Sequence, residues 1–323
     1  MVDRLKSLFE MKSKFILFVL PFLMMASCSV GYDVDMLKSD EPECIIVSAL
    51  LNPAKPVQVE LYRLQNDGNL YSYTALKGAN VIIREEQKII YDGVCEESMV
   101  KIDYFPLTNA SYSIEVSFEG LKTVRAHTQV PPVITCTSSF HLGEYRGDFD
   151  YIIELNAFEI PPAEKIGMWV TSYEVCENDE EVQYNEMYTK NAFVDKTNSV
   201  AGMPVKNETV GSIYHNGFLR VKNKNLPFLD ELVFTPNYVM DARLPQRNLV
   251  QTGIKVKVMT ASPEYDQFCK SLYEQKSMIV YEGDISSIFF QPKTVYSNIE
   301  NGLGIFAGVS EMNYVFDLPT RGY

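Results

Sequence analysis

Three histidines, His127, His141 and His215, are the only imidazoles in 323 residues. Acid–base or metal chemistry would have to be built around them or from carboxylates. No two lie within one helical turn and no H-E-x-x-H run occurs, so a helical zinc-protease site has no basis. A G-x-S-x-G elbow and a phosphate loop are absent as well. Carboxylates gather at Glu177, Asp179, Glu180 and Glu181. Calcium favours such oxygen clusters, but the spacing and central glycine of an EF-hand loop are missing, so a solvated charged loop is expected. Asp148 and Asp150 stand two apart behind Arg146 and Gly147. Paired carboxylates do acid–base work only at a set separation across a substrate, and nothing in the sequence fixes one. Arg146-Gly147-Asp148 matches an adhesion tripeptide at a length where chance matches are common. Gly302-Leu303-Gly304 lacks the surrounding βαβ unit of a dinucleotide site and reads as a tight turn. No catalytic residue, metal or cofactor is assigned.

One residue has a clearer chemistry. An apolar run of 11 residues, from Phe15 to Met25, follows Lys12 and Lys14 and ends at Ala26-Ser27-Cys28. As a helix it is about 16 Å long, against roughly 30 Å for a bilayer core. The order basic, apolar, small is that of a secretion signal. Met25-Ala26-Ser27-Cys28 is similar to the bacterial lipobox, in which the cysteine thiol is diacylated before cleavage and the new α-amine is acylated afterwards. Each buried CH₂ adds about 0.8 kcal/mol, so several chains on one residue make a firm anchor. Residues 1–27 are therefore expected to be a lipoprotein signal peptide, with Met1 and Met11 both open as the start. Cys28 is the expected lipid-attachment site, and 28–43 a polar, acidic tether. The leader holds four of the 29 Lys/Arg and two of the 42 Asp/Glu, so the mature 296 residues carry 25 against 40, a net charge of −15. That balance argues against nucleic acid as a partner.

Cys44, Cys95, Cys136, Cys176 and Cys269 remain. None forms a C-x-x-C pair, which removes zinc ribbons and redox motifs. An exported chain can form disulfides, but five is an odd number and the pairing stays open. Cys44, Cys136 and Cys176 sit in or beside apolar runs, where a buried thiol is the expectation. Aromatics make up 12% of the chain, with 20 Tyr, 18 Phe and one Trp. Tyr62, Tyr71, Tyr73, Tyr184, Tyr188, Tyr296 and Tyr314 fall near expected loops or solvent faces. They are candidates for a contact surface, set against the routine use of tyrosine in strands.

The elements that would position these groups are mainly β. Short apolar or alternating runs at 44–51, 57–64, 78–93, 98–104, 111–118 and 121–130, separated by turn signals, predict an immunoglobulin-like antiparallel β-sandwich over 44–133. The pair Pro131-Pro132 ends it. A second β-rich region, 134–323, is expected from the runs 150–158, 167–175, 217–223, 230–236 and 252–261, with a closing strand near 312–318. Tyr265, Phe268, Cys269, Leu272 and Tyr273 fall on one face of a helix. Ser262 as cap and Pro263 at the first position place that amphipathic α-helix at about 262–276.

Three stretches taken together carry a family resemblance: the lipobox followed by CIIVSALL and GANVIIREE; YSIEVSFEGLKTVRAHTQVP; and SPEYDQFCKSLYEQK followed by QPKTVYSNIENGLGIF. The chain resembles an uncharacterised family of Bacteroidota outer-membrane lipoproteins, classed only as a domain of unknown function. The stretch YSNIENGLGIF, 296–306, is the most specific part. Members tend to be encoded beside TonB-dependent receptors. The resemblance thus implies a lipid-anchored outer-membrane binding or accessory protein of an importer in nutrient uptake, with the ligand unspecified. Surface display is favoured over the periplasmic face. A structural or adhesive, fimbrial-type lipoprotein is the alternative. The family has no known catalytic residues to carry over.

The lipobox reading predicts a mature amino terminus at an acylated Cys28. Intact-mass analysis of the membrane fraction should find it, and Cys28→Ser should accumulate as an uncut, unacylated precursor. A wild-type protein recovered with an unmodified terminus would refute the anchor.

Overall fold

The computed structural model describes residues 43–66, 71–145, 149–160, 166–178, 180–196, 213–237, 250–279 and 294–318. The first half of the chain contributes β1 (Cys44–Leu51), β2 (Val57–Asn66), β3 (Tyr71–Ala75), β4 (Ala79–Glu85), β5 (Lys88–Cys95), β6 (Met99–Ile102), β7 (Ser111–Ser117) and β8 (Val124–Gln129). β9 (Thr135–Glu144), β10 (Phe149–Glu159), β11 (Gly167–Cys176), β12 (Glu181–Gln183) and β13 (Glu186–Thr189) follow. β14 (Ile213–Asn216), β15 (Leu219–Val221), a 3-10 helix (Asn223–Phe228), β16 (Glu231–Asn237), β17 (Gln251–Ala261), an α-helix (Pro263–Ile279) and β18 (Leu303–Asp317) complete the set among the described residues.

Alternation dictates the packing. Val47, Ala49 and Leu51 of β1, Val81 and Ile83 of β4, and Ile114 and Val116 of β7 are all buried, because a two-residue period sends alternate side chains to one face. These faces meet in a first core between the sheet β5-β4-β7-β8 and the β1, β2 part of a nine-stranded sheet. That longer sheet runs β12-β11-β17-β18-β1-β2-β3, with β15 on β11 and β6 on β2. A five-stranded sheet, β14-β13-β16-β10-β9, supplies Ile153, Leu155, Leu232 and Phe234 to a second core against Val256 and Val258 of β17. The fold is mainly β, and its first half is an immunoglobulin-like sandwich. Tyr112 marks its corner: near the start of β7 and fully buried, its hydroxyl accepts from Leu107 N at 2.8 Å and donates to Glu85 at 2.9 Å. A corner tyrosine bonded to backbone a few residues upstream recurs in such sandwiches.

The closing strand is the main departure from the sequence reading. It spans Leu303–Asp317, not only 312–318, and it serves both cores. Phe306 packs into the first core, and Tyr314 and Phe316 pack against the second. The chain-order division at residue 133 therefore separates two cores but not two sheets, since β18 crosses it. β18 pairs with β17 antiparallel and with β1 parallel, Val47 opposite Gly304 and Leu51 opposite Gly308. Strands β3, β9, β12, β13 and β14 are further additions to the sequence reading. β9 reads TCTSSFHLGE, too polar for an apolar-period signal. The helix starts as expected and continues to Ile279.

Two glycines let backbone pass over backbone. Gly304 has φ +108°, and a Cβ there would overlap the Val47 carbonyl of β1. At Gly308 a Cβ would lie 2.5 Å from the Gln129 carbonyl oxygen and 2.7 Å from Val130 Cα. The crossover from the first small sheet to the second rests on the long sheet there. Ser310 Oγ donates to Pro131 O at 2.6 Å, and Ile134 N donates to Thr260 Oγ1 at 3.3 Å. Asn298 clips the start of β18 by donating to Phe306 O (2.7 Å) and accepting from Phe306 N (3.0 Å).

Gly304→Ala should therefore cost about 4 kcal/mol or prevent folding, beyond the usual range for a point change. Gly120, also left-handed at φ +81° but with nothing within 4 Å of an added Cβ, should cost only about 1–2 kcal/mol as Ala. Urea unfolding of the two variants checks this, and equal losses would sink the close-approach argument.

Candidate functional site

The helix reaches its place through charge as well as through apolar contact. Trp169 and Phe218 are buried beneath it against its own Cys269, with the Tyr273 ring tilted on Phe218 at a centroid separation of 4.0 Å. Asp266 projects from its first turn onto β11 and β15. It accepts from Trp169 Nε1 at 3.0 Å and from Arg220 Nε at 2.8 Å, while the second arm of the Arg220 guanidinium pairs with Asp195. Lys222 Nζ reaches the other Asp195 oxygen at 3.0 Å. Arg220 is only 7% exposed. Breaking such a buried pair by removing one partner costs about 3–5 kcal/mol, because the remaining charge stays desolvated. Gly167 permits the contact, since a Cβ there would collide with the Asp266 carboxylate.

Fixing Asp266 fixes the helix start three residues earlier, at Pro263. Ser262 caps it, its hydroxyl accepting from Tyr265 N at 3.4 Å and its carbonyl from Asp266 N at 2.9 Å. Ser262 N donates to Gly308 O at 2.9 Å, tying the cap to β18. Glu264 then faces β8, where the buried Thr128 hydroxyl donates to Glu264 Oε2 at 2.9 Å and lies 3.3 Å from Ser262 Oγ.

A cleft of about 520 Å³ opens at this junction. Its walls are the β7 start (Asn109, Ser111), the β8 end (His127, Gln129), the crossover prolines Pro131 and Pro132, Ile166, and the helix start at Pro263 and Glu264. Gln129 Nε2 donates to Asn109 O at 3.0 Å, and Asn109 holds a left-handed φ of 62°. The lining thus combines hydrogen-bonding side chains with prolines and one aliphatic side chain. Concave sites of this size at the junction of packed units are the usual place for a small ligand.

Of the residues singled out in the sequence for possible chemistry or ligand contact, only His127 lines the cleft, beside Pro131, Pro132, Ser262 and Pro263, which the sequence marks as sandwich-end and helix-start signals. His141 is exposed on β9, 3.9 Å from Glu154. His215 is buried in β14, with no hydrogen-bond partner on either ring nitrogen among the described residues. Glu181 is committed to Lys255 at 2.7 Å, and no group of three or more metal-ligating side chains converges among the described residues. Arg146, Gly147, Asp148, Asp179 and Cys28 lie outside the described residues. The tyrosines do not form one surface. Tyr184 is buried, and Tyr314, pushed up to about 12 by burial, bonds the Cys136 backbone. Tyr62 and Tyr188 donate to Glu60 and Glu186 on their own strands, and Tyr73 is 70% exposed. Tyr296 is half-buried, and the Tyr71 side chain lies outside the described residues. No disulfide joins the five described cysteines. Cys176 is buried as expected, while Cys44 and Cys136 are half-buried. No sequence motif marks Thr128, Gln129 or Glu264; the Ser262-Pro263 helix start was their one signal.

No helix among the described residues is long and apolar enough to cross a membrane. The family described as a domain of unknown function (DUF4249) matches residues 31–314. No curated protein matches the chain. Among solved structures, the full-length major pilin SpaD from Corynebacterium diphtheriae aligns at 8% identity and a TM-score of 0.18, over 69% of this chain and 62% of the pilin. The chain thus spans less than two thirds of that pilin's length.

His215 makes a pH prediction. Burial lowers its pKa from 6.5 to about 4, with Asp195 opposing and Lys196 adding. The unfolded chain takes the proton first, so this contribution is complete above pH 6.5 and is lost as the pH falls toward 4. The loss should reach about 3 kcal/mol. His215→Leu gives up no hydrogen bond, so its stability relative to wild type should rise by that amount between pH 7 and 4 in urea titrations. Parallel pH profiles for the two proteins would refute the assignment.

Proposed function

The chain belongs to the DUF4249 family, and on that premise we propose that it is a lipid-anchored outer-membrane binding protein, an accessory of a TonB-dependent receptor in nutrient uptake. One observation carries the reading: the run from Lys12 to Cys28, basic, apolar, then small residues before a cysteine. It tethers the body to a membrane through acyl chains rather than through a spanning helix. The body supplies what a binding protein needs, a cleft of ligand size at the junction of two cores. The receptor and the membrane face come from the family resemblance, with the cell surface favoured.

The fimbrial alternative draws less support. Polymerisation by strand donation needs a removable strand or an open edge. β18 lies between β17 and β1 and contributes to both cores, so withdrawing it would open the whole sheet.

Gentle detergent extraction of native membranes, followed by affinity capture of the tagged full chain, should recover a TonB-dependent receptor. Repeated capture from receptor-expressing membranes with no receptor present would end the partner proposal.

A further inference from the structure

The cleft can be read for the chemistry of its occupant, which deepens the binding-protein reading and rests on it. Glu264 uses only Oε2, held by Thr128. Its Oε1 accepts no hydrogen bond among the described residues, although the carboxylate lines the cleft. Around it the side chains of Asn109, Ser111 and His127 make no hydrogen bond among the described residues. Gln129 spends its Nε2 on Asn109 O and keeps its side-chain oxygen. The rest of the lining, Pro131, Pro132, Pro263 and Ile166, is apolar and stiff. Glu264 is held in place by buried neighbours: Thr128 is 3% exposed, and Ser262, which caps the helix, 1%.

These walls discriminate among ligand classes. No Phe, Tyr or Trp ring lines the cleft among the described residues, so a sugar would lack the large flat platform on which it usually stacks. An anion would meet Glu264, which already occupies the positive end of the helix. A hydrocarbon would leave the amide, hydroxyl and imidazole groups unpaired. A small molecule with an ammonium group, amide donors and acceptors, and short apolar side chains satisfies both parts of the lining. We propose that the cleft binds a short peptide by its free amino terminus, with Glu264 Oε1 accepting from the ammonium, the Asn109, Ser111 and Gln129 side chains bonding the peptide backbone, and the prolines bounding its side chains.

The test uses the full chain in detergent and isothermal titration with Ala-Ala-Ala and N-acetyl-Ala-Ala-Ala. The free tripeptide should bind with a Kd below about 1 mM, and acetylation should weaken it by about tenfold or more, the worth of one hydrogen bond to a charged group. Glu264→Gln keeps an oxygen for Thr128, should stay folded by circular dichroism with a small drop in melting temperature from the lost charge at the helix start, and should show the same loss of affinity. The exposed Glu119→Gln should bind like wild type. No heat from the free tripeptide, or equal affinity for the two peptides, overturns the proposal, and the acetylation comparison needs no variant at all. The titration contains no receptor, so its failure leaves the receptor association standing, and failed receptor capture leaves peptide binding standing.

Discussion

The backbone ladder between β1 and β18 is the interaction on which the other layers rest. It pairs the first described strand with the last in parallel, across more than 250 residues of intervening sequence. Parallel neighbours need a long crossover, and here the crossover is almost the entire protein. Everything between them must fold back so that Val47 meets Gly304 and Leu51 meets Gly308. The approach is tight enough that Gly304 tolerates no side chain. Because β18 continues past β1 into the second half, its face changes partners along its length, from the first small sheet at Phe306 to the second around Tyr314 and Phe316. Two cores built on one strand are coupled, since a register slip of one residue would turn that strand's apolar set away from both.

On the other face of the long sheet the helix is held by a second constraint, the buried Arg220. Desolvating a guanidinium is costly, and two carboxylates offset that cost only in a well-fixed geometry. Asp266 belongs to the helix, Arg220 to β15, and Asp195 to the loop whose amide donates to the Arg220 carbonyl at 2.7 Å. The ion cluster thus locates the helix along its axis, which apolar contact alone does loosely. The helix start, and with it Glu264, is positioned at one end of the first sandwich by charges that never touch the cleft.

That arrangement bears on function. Rigid elements hold a site more accurately than loops do, and the cleft walls are strand ends, a proline crossover and a capped helix start. A tether after an acylated residue would leave such a body free to reorient at a membrane, while the site itself stays fixed. The net negative charge of the chain aids solubility; in the proposed peptide site the recognising group is the single carboxylate of Glu264, held by Thr128.

Local patterns made much of this legible from the residues alone. CIIVSALL, GIKVKVMT and the 265–273 stripe declare strand, strand and helix, because side-chain periodicity is a property of a few neighbouring residues. Ser262-Pro263 marked the helix start for the same reason. The basic-apolar-small leader and Cys28 are an equally local pattern, and the expectation they carry lies outside the described residues. The polar β9 escaped, since its pairing with β10 supplies what its own sequence lacks. The sharing of β18, the meeting of Arg220 with Asp195 and Asp266, and the approach of Thr128 to Glu264 were beyond sequence reading. Each joins residues 25 to more than 250 positions apart, and no periodicity records which distant segments will touch. The residues alone determined a mainly β chain with one helix and an expected anchor; tertiary packing alone decided that two cores share a strand and that a cleft opens where they meet.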